Sequence, residues 1–201
     1  YTTFQTIKSQ SNKVAMPFKS TIFFTLFALM CALTVQSQNE IKVPKGYTPQ
    51  IGSTVSMMED LKERVTRSVR NLSQEETDFL LDANANRIGA MIMHLAAVEK
   101  YYQVRTFENR EFNREENKFW GAAMDLGDKG RESLINKPIS YYLKIWDDVR
   151  KESLRLLKSK DDKWFKDKVN GMNMNNHWAW YHVMEHQANH MGQIRMISKR
   201  F

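Results

Sequence analysis

Apolar residues recur at steps of three and four positions in four separate stretches of the chain, at about residues 53–71, 86–107, 138–158 and 177–199. This spacing places the apolar side chains on one face of a helix, because 3.6 residues complete one helical turn. None of the four stretches shows the convincing apolar and polar alternation of a half-buried strand. The sequence therefore predicts an all-α protein built as a four-helix bundle.

Helix-capping residues and glycines indicate where some of these stretches begin and end. The sequence Ser73-Gln-Glu-Glu76 is a capping-box pattern, in which both side chains satisfy free backbone amides at a helix start. Asn175 or Asn176 is expected to cap the last helix. Residues 109–130 are charged and contain three glycines, so we expect a long connection there with one irregular helical piece at about 119–126.

The N-terminal part of the chain has the three-part layout of a secretory signal peptide. Met16 is followed by Pro, Phe and Lys, then by an apolar segment at residues 22–35 and by the exit sequence Val35-Gln36-Ser37. We expect cleavage after Ser37 and an exported protein, either periplasmic or secreted. A membrane anchor is the alternative, but the apolar run is shorter than the roughly 20 residues that a membrane-spanning helix needs. No stable anchor is therefore expected after cleavage.

These features divide the 201-residue chain into four segments. Residues 1–15 precede Met16 and have no hydrophobic periodicity, and we expect them to be upstream sequence outside the native protein. Residues 16–37 are the predicted signal peptide, and residues 38–52, which contain several helix breakers, are a predicted extended leader. Residues 53–201 are predicted to form one domain, which is long enough for a sizeable core.

Removal of the signal segment changes the charge and the cysteine content. The whole chain has a formal charge of +7, and residues 1–37 contain three lysines and no acidic residue, which leaves 7 − 3 = +4. So mild a positive charge gives no reason to expect binding to nucleic acid. The single cysteine, Cys31, lies in the signal segment. The mature protein is therefore expected to have neither a disulfide nor a cysteine nucleophile.

Three histidines, His182, His186 and His190, follow one another at four-residue steps in the last predicted helix. Neighbours at this spacing share one helix face, about 5–6 Å apart at Cβ, so two of them can reach one divalent metal ion. The spacing alone allows either adjacent pair. A third nitrogen would come from His177 or from His94. His94 is the better candidate, because it lies among core residues of the second helix, where an unpaired imidazole is costly.

Three imidazole ligands leave one coordination position open, which is typical of catalytic metal sites. Histidines near a core are, alternatively, hydrogen-bonded packing residues. On helical wheels Gln193 lies between two of the ladder histidines, and Tyr101 and Arg87 flank the histidine of the second helix, so these residues are candidates for orienting the ligands or a substrate. Glu99 and Glu185 point away from the histidine faces. Neither is a candidate for a catalytic base, and the sequence identifies no catalytic residue.

Two motifs resemble those of DinB/YfiT-like proteins. Residues 93–102, Met-His-Leu-Ala-Ala-Val-Glu-Lys-Tyr-Tyr, are similar to the second-helix motif of that family. Residues 182–194, His-Val-Met-Glu-His-Gln-Ala-Asn-His-Met-Gly-Gln-Ile, are similar to the histidine ladder of its fourth helix. The family has Arg-Gly-Gln after the ladder, whereas this chain has Met191 in place of the arginine. The resemblance spans about residues 53–199 and implies a DinB/YfiT-like four-helix bundle.

The resemblance also implies a site and a chemistry. Carried over by motif position, the metal ligands fall on His94, His186 and His190, and His182 becomes a residue that supports the ligands or lines a pocket. Family members are expected to bind a divalent ion, zinc or nickel, and some transfer a low-molecular-weight thiol such as bacillithiol or mycothiol to an electrophile. The ion would hold the thiol as a thiolate, whereas the same site with bound water would support hydrolysis.

Two functions from different classes follow from these observations. The first is an exported, metal-dependent thiol transferase or hydrolase that acts on a small electrophilic substrate. The second is a non-catalytic helical bundle that binds a metal ion or another ligand. A cavity near the open coordination position would favour the enzyme. The expected partners are small molecules and no nucleic acid, and a homodimer is an assembly that the sequence leaves open.

Overall fold

The computed structural model describes residues 40–201. The bundle consists of four long helices, α1 (Pro49–Val69), α3 (Ile88–Gln103), α6 (Ile139–Lys158) and α8 (Asn176–Ile197). They are connected by four short helices, α2 (Gln74–Asp78), α4 (Arg114–Asp125), α5 (Gly127–Ser133) and α7 (Asp162–Lys166). Residues 40–201 contain no β-strand, only an isolated bridge between Lys168 and Asn175. The predicted all-α helical bundle is confirmed.

The predicted signal peptide and upstream segment lie outside the described residues. Cys31 lies there as well. Within residues 40–201, no helix combines the length and the hydropathy that crossing a membrane requires.

The central helix of the bundle is α3. It packs against α6 on one side and α8 on the other, while α1 contacts both α8 and α6. The order around the bundle is therefore α1, α8, α3 and α6. Most of α3 is buried, because its sequence is dominated by Ala, Met, Ile, Leu and Val. A polar side chain on α3 must consequently find its partners inside the protein.

Two clusters of buried apolar side chains stabilise the bundle. One surrounds Trp146 and includes the C-terminal part of α8 from Ile194. The other surrounds Trp180 and includes the N-terminal part of α8 as far as Val183. The segment of α8 between Val183 and Ile194 contributes no buried apolar side chain to either cluster, and it contains His186 and His190.

A buried ion pair joins three of the long helices. Glu99 of α3 and Arg150 of α6 are 0% and 3% exposed, and their side chains approach to 2.7 Å. Arg150 also donates a hydrogen bond to the carbonyl oxygen of Met58 on α1. Glu99 therefore points away from the histidine face of α3, as the sequence predicted.

The start of the first long helix differs from the prediction. Helix α1 begins at Pro49, so the extended leader expected over residues 38–52 is shorter by four residues. Proline is favourable in a first helical turn, because the amide hydrogen that it lacks has no partner there. Two capping predictions are confirmed. Ser73 and Glu76 form both hydrogen bonds of a capping box, and Asn175 caps α8 by accepting from the amide of Trp178.

The region between the second and third long helices also differs from the prediction. The second predicted helix, which was expected to reach Phe107, is α-helical only to Gln103 and continues as a π-helical turn over Val104–Glu108. The expected long connection at residues 109–130 contains α4 and the start of α5 instead of one irregular piece. Helix α4 begins with a second capping box, formed by Asn113 and Glu116. Helix α4 of this connection positions the backbone carbonyl of Ala123, which contacts His94.

Candidate metal centre

Three imidazole rings from two adjacent helices converge inside the bundle. His94 lies in the middle of α3, and His186 and His190 lie one turn apart on α8. The Nε2 atom of His186 is 3.1 Å from Nε2 of His94 and 3.0 Å from Nε2 of His190. All three ligand nitrogens lie within 4.8 Å of one another. The structure thus brings together the three residues that the sequence predicted as metal ligands.

A backbone carbonyl on α4 fixes the orientation of the His94 ring. Its Nδ1 atom lies 2.6 Å from the carbonyl oxygen of Ala123. A carbonyl oxygen can only accept, so Nδ1 carries the proton and donates it. In the neutral ring, the other nitrogen, Nε2, then presents a lone pair to the centre of the cluster.

A side chain one turn further along α8 fixes the orientation of His190 in the same way. Its Nδ1 atom lies 2.7 Å from Oε1 of Gln193 and donates a hydrogen bond to it. The Nε2 atom of His190 is therefore also a lone-pair donor towards the centre. Gln193, which the sequence indicated as an orienting residue, contacts one of the three clustered histidines directly.

Burial keeps the three rings neutral. It lowers the pKa of His94 to about 4, although the hydrogen bond to Ala123 acts in the opposite direction. It lowers the pKa of His186 to about 3, and repulsion from the neighbouring imidazoles adds to the effect. Burial also lowers the pKa of His190. At neutral pH the cluster therefore presents unprotonated imidazoles, which is the form that ligates metal ions.

The donor set fits a divalent cation better than it fits a network of hydrogen bonds. Since His94 and His190 each carry their proton on Nδ1, only His186 has a proton to offer from Nε2, and it can offer it to one neighbour. At least one of the two short contacts therefore joins two lone pairs. A tetrahedral ion with metal–nitrogen bonds of 2.0–2.1 Å holds its ligands about 3.4 Å apart. Small ring rotations from the observed 3.0 and 3.1 Å would admit such an ion.

His182, the third histidine of the ladder, stands outside this cluster. Its ring stacks on His186, with 5.5 Å between centroids and 19° between planes, and on Trp178 at 5.1 Å. Its Nδ1 atom lies 3.1 Å from a carboxylate oxygen of Glu185. The expectation that Glu185 points away from the histidine face is therefore wrong: the carboxylate, three residues further along the helix, turns back to contact His182.

Two other predicted site residues have partners outside the cluster. Arg87 donates to the carbonyl oxygens of Asp78 and Arg131, so its guanidinium joins the start of α3 to α2 and α5. The hydroxyl of Tyr101 donates to a carboxylate oxygen of Glu111 at 3.1 Å. Neither side chain has a hydrogen bond to the clustered histidines within residues 40–201.

The remaining histidine, at the start of α8, and the residue that replaces the family arginine have packing roles. His177 stacks on Phe165, with 4.7 Å between centroids and 15° between planes. Met191 is half-buried and packs against the cluster around Trp146. The position at which the family has an arginine is therefore an apolar contact in this chain.

Sequence reasoning missed the contribution of Ala123. Its carbonyl reaches His94 because α4 lies against α3, yet the sequence around it was interpreted as a connection. The signal that would have found α4 is the Asn113-Arg-Glu-Glu116 pattern, which satisfies the capping-box rule.

Comparisons with known proteins identify a family for this chain. A search of curated proteins found no significant match. The family model of mycothiol S-transferases matches residues 53–200, which include all three clustered histidines and all four long helices except the first turn of α1. The chain therefore belongs to the mycothiol S-transferase family, a DinB/YfiT-like family.

Proposed function

We propose that this protein is a divalent-metal-dependent thiol S-transferase, with His94, His186 and His190 as the ligands of a zinc or nickel ion. The observation that carries the proposal is the convergence of three neutral imidazoles whose Nε2 atoms approach to 3.0 and 3.1 Å. Family membership supports a thiol as the first substrate, because the matching family is named for transfer of mycothiol. Three protein ligands leave a coordination position for that thiol.

The reaction is a substitution at the carbon of a small electrophile. A divalent cation held by His94, His186 and His190 would lower the pKa of a thiol and so favour its thiolate form. The thiolate sulfur forms a bond to the electrophilic carbon, the leaving group departs with the electron pair of the broken bond, and the thiol proton passes to solvent. Ala123 and Gln193 contribute by holding two imidazoles in the tautomer that donates from Nε2.

Metal content is the first test. Elemental analysis of untagged protein should find about one equivalent of zinc or nickel in the wild type, and His94→Ala and His190→Ala should each lose most of it. His177→Ala is the matched control, because His177 stacks on Phe165 outside the cluster and should leave metal content unchanged. Equal metal content in all four proteins would contradict the proposed site.

Activity is the second test. The metal-loaded protein should catalyse consumption of mycothiol or bacillithiol in the presence of an alkylating electrophile, and His186→Ala should not. Cleavage of esters or amides without thiol consumption would instead identify a hydrolase. Bound metal with neither activity would favour a non-catalytic metal-binding bundle.

We also propose that the protein is exported. The support is the sequence of residues 16–37, with Met16, the apolar segment and the exit at Ser37. Expression of the chain from Met16 and N-terminal sequencing of the periplasmic fraction should give a mature protein that begins at Gln38. Recovery of uncleaved protein from the cytoplasm would contradict export. Thiols of this kind are mainly cytosolic, so confirmed export would favour the hydrolase over the thiol transferase.

A further inference from the structure

A cavity of about 320 Å³ lies one helical turn from the histidine cluster. It is bounded by the loop between α2 and α3, by α3 itself and by the C-terminal part of α8. Its volume lies at the lower end of the roughly 300–1,000 Å³ that is usual for small-molecule sites. The cavity can therefore hold a compact organic molecule.

Two residues connect this cavity to the cluster. Met91 lines the cavity and precedes His94 by three residues on α3. Gln193 lines the cavity and accepts the hydrogen bond from His190 at 2.7 Å. A molecule in contact with Gln193 is thus separated from His190 by a single side chain. One helical turn is about 5.4 Å, so the cavity lies about that far along α3 and α8 from the clustered ligands.

The lining of the cavity restricts the chemistry of its ligand. The apolar side chains are Leu81, Ala85, Met91, Met196 and Ile197, and the polar ones are Asp82, Asn84, Asn86 and Gln193. The only charged side chain of the lining is that of Asp82, so an anionic ligand is disfavoured. The carboxylate of Asp82 is exposed and accepts a hydrogen bond from the amide of Asn84, and its remaining lone pairs favour a ligand that brings a hydrogen-bond donor.

We infer that this cavity binds the electrophilic co-substrate, an uncharged or cationic molecule with a small apolar body and an N–H or O–H donor. The inference rests on the proposed thiol transfer, because a two-substrate reaction needs a second binding place beside the thiol. The apolar side chains would hold the body of the electrophile, Asp82 would accept from its donor, and the reactive carbon would extend past Gln193 towards the cluster.

Binding can be measured without catalysis. The probe is N-benzylacetamide, which has an apolar ring and an amide N–H but no leaving group. Two methionines of the lining, Met91 and Met196, serve as reporters when their methyl groups are labelled with carbon-13. Their resonances should shift and saturate on titration, whereas those of Met172 and Met174, which lie in the other core cluster, should not. Absence of a saturable shift at Met91 and Met196 would overturn the inference.

A matched pair of variants in one loop tests the location. Ala85 lines the cavity, whereas Ala83, two residues earlier, is exposed and does not line it. Ala85→Trp fills the cavity and should abolish the methyl shifts. Ala83→Trp should leave them as in the wild type. Both proteins should keep the metal content of the wild type, because neither residue contacts the histidines. Equal binding by the two variants would overturn the inference.

The reactive probe N-benzyl-2-chloroacetamide links binding to transfer. The thiolate would displace chloride from its CH₂Cl carbon. Ala85→Trp should raise KM for this probe about tenfold or more, the scale on which an apolar pocket discriminates between substrates, and Ala83→Trp should not. Transfer with an unchanged KM in Ala85→Trp would overturn the cavity inference but support the proposed function. The opposite outcome is that Ala85→Trp abolishes the methyl shifts but the wild type transfers no thiol. This outcome would support binding in the cavity and contradict the proposed function.

Discussion

Substitution of Arg150 by methionine should destabilise the bundle more than any comparable change at its surface. The carboxylate of Glu99 accepts from Arg150 at 2.7 and 2.9 Å, from Ser153 at 2.6 Å and from Trp146 at 3.1 Å. In Arg150→Met the two charged donors disappear, while the carboxylate remains fully buried on α3 with two neutral donors. Such a loss of one partner of a buried ion pair costs about 3–5 kcal/mol in free energy of unfolding.

This cost is large compared with the total stability of a domain of this size. A free energy of unfolding of about 5–15 kcal/mol is usual, so the variant would lose about a fifth of it or more. For a domain of 150–250 residues, each kcal/mol corresponds to about 2–4 °C in Tm. Arg150→Met should therefore melt about 6–20 °C below the wild type, at a site that contacts none of the clustered histidines.

The measurement is urea denaturation of four proteins at neutral pH. Arg155→Met is the matched control, because the Arg155 pair with Glu152 is exposed and should contribute little to the free energy of unfolding. The double variant Glu99→Leu/Arg150→Met should recover about 1–2 kcal/mol relative to Arg150→Met, since it leaves no buried charge. If Arg150→Met and Arg155→Met lose the same free energy, the reasoning from burial is refuted.

Three further predictions follow from the site and the packing of α3 and α4. Gln193→Ala should weaken zinc affinity by about 10–100-fold, as measured by competition with a chromophoric chelator. Without metal, the free energy of unfolding should fall as the pH is lowered from about 6.5. The reason is that imidazoles of the unfolded chain take up protons there, whereas burial lowers the pKa of His94 to about 4 and that of His186 to about 3 in the folded protein. Urea titrations at two pH values should show a smaller fall for His94→Gln than for the wild type. Gly89→Ala should lower the free energy of unfolding by about 1–3 kcal/mol, because the added Cβ would lie 2.6 Å from a tyrosine ring. Gly121→Ala, whose Cβ would have no described atom within 4 Å, should raise it by about 0.5–1 kcal/mol. Thermal melts measure both.

The long helices α1, α6 and α8 could be predicted from the sequence because their burial is one-sided. In α6, for example, Tyr142, Trp146, Val149 and Leu157 are buried while charged residues cover the other face. Helix α4 lacks this pattern, since Trp120 and Ala123 are its only buried residues. Its position is set by packing against α3, and spacing rules that depend on an apolar stripe cannot detect such a helix.

The ligand set shows a similar division between local and tertiary information. The ladder spacing identified a shared helix face, but it could not distinguish the pair that includes His182 from the pair that includes His190. The choice depends on which turn of α8 lies beside His94 of α3, and that is set by how the two helices pack against each other. The cavity could not be predicted for the same reason, because half of its lining comes from the loop between α2 and α3.

The three clustered imidazoles are oriented by three different physical means, and the difference bears on how the site would tolerate change. His94 depends on a backbone carbonyl of another helix, so its orientation is as rigid as the packing of α4 on α3. His190 depends on Gln193, a side chain of its own helix that is exposed and replaceable. The ring of His186 is stacked on His182, which Glu185 holds in turn. Stacking restrains the plane of a ring but allows the ring to shift within that plane, so His186 is the ligand whose small shift can widen the 3.0 and 3.1 Å contacts to admit an ion.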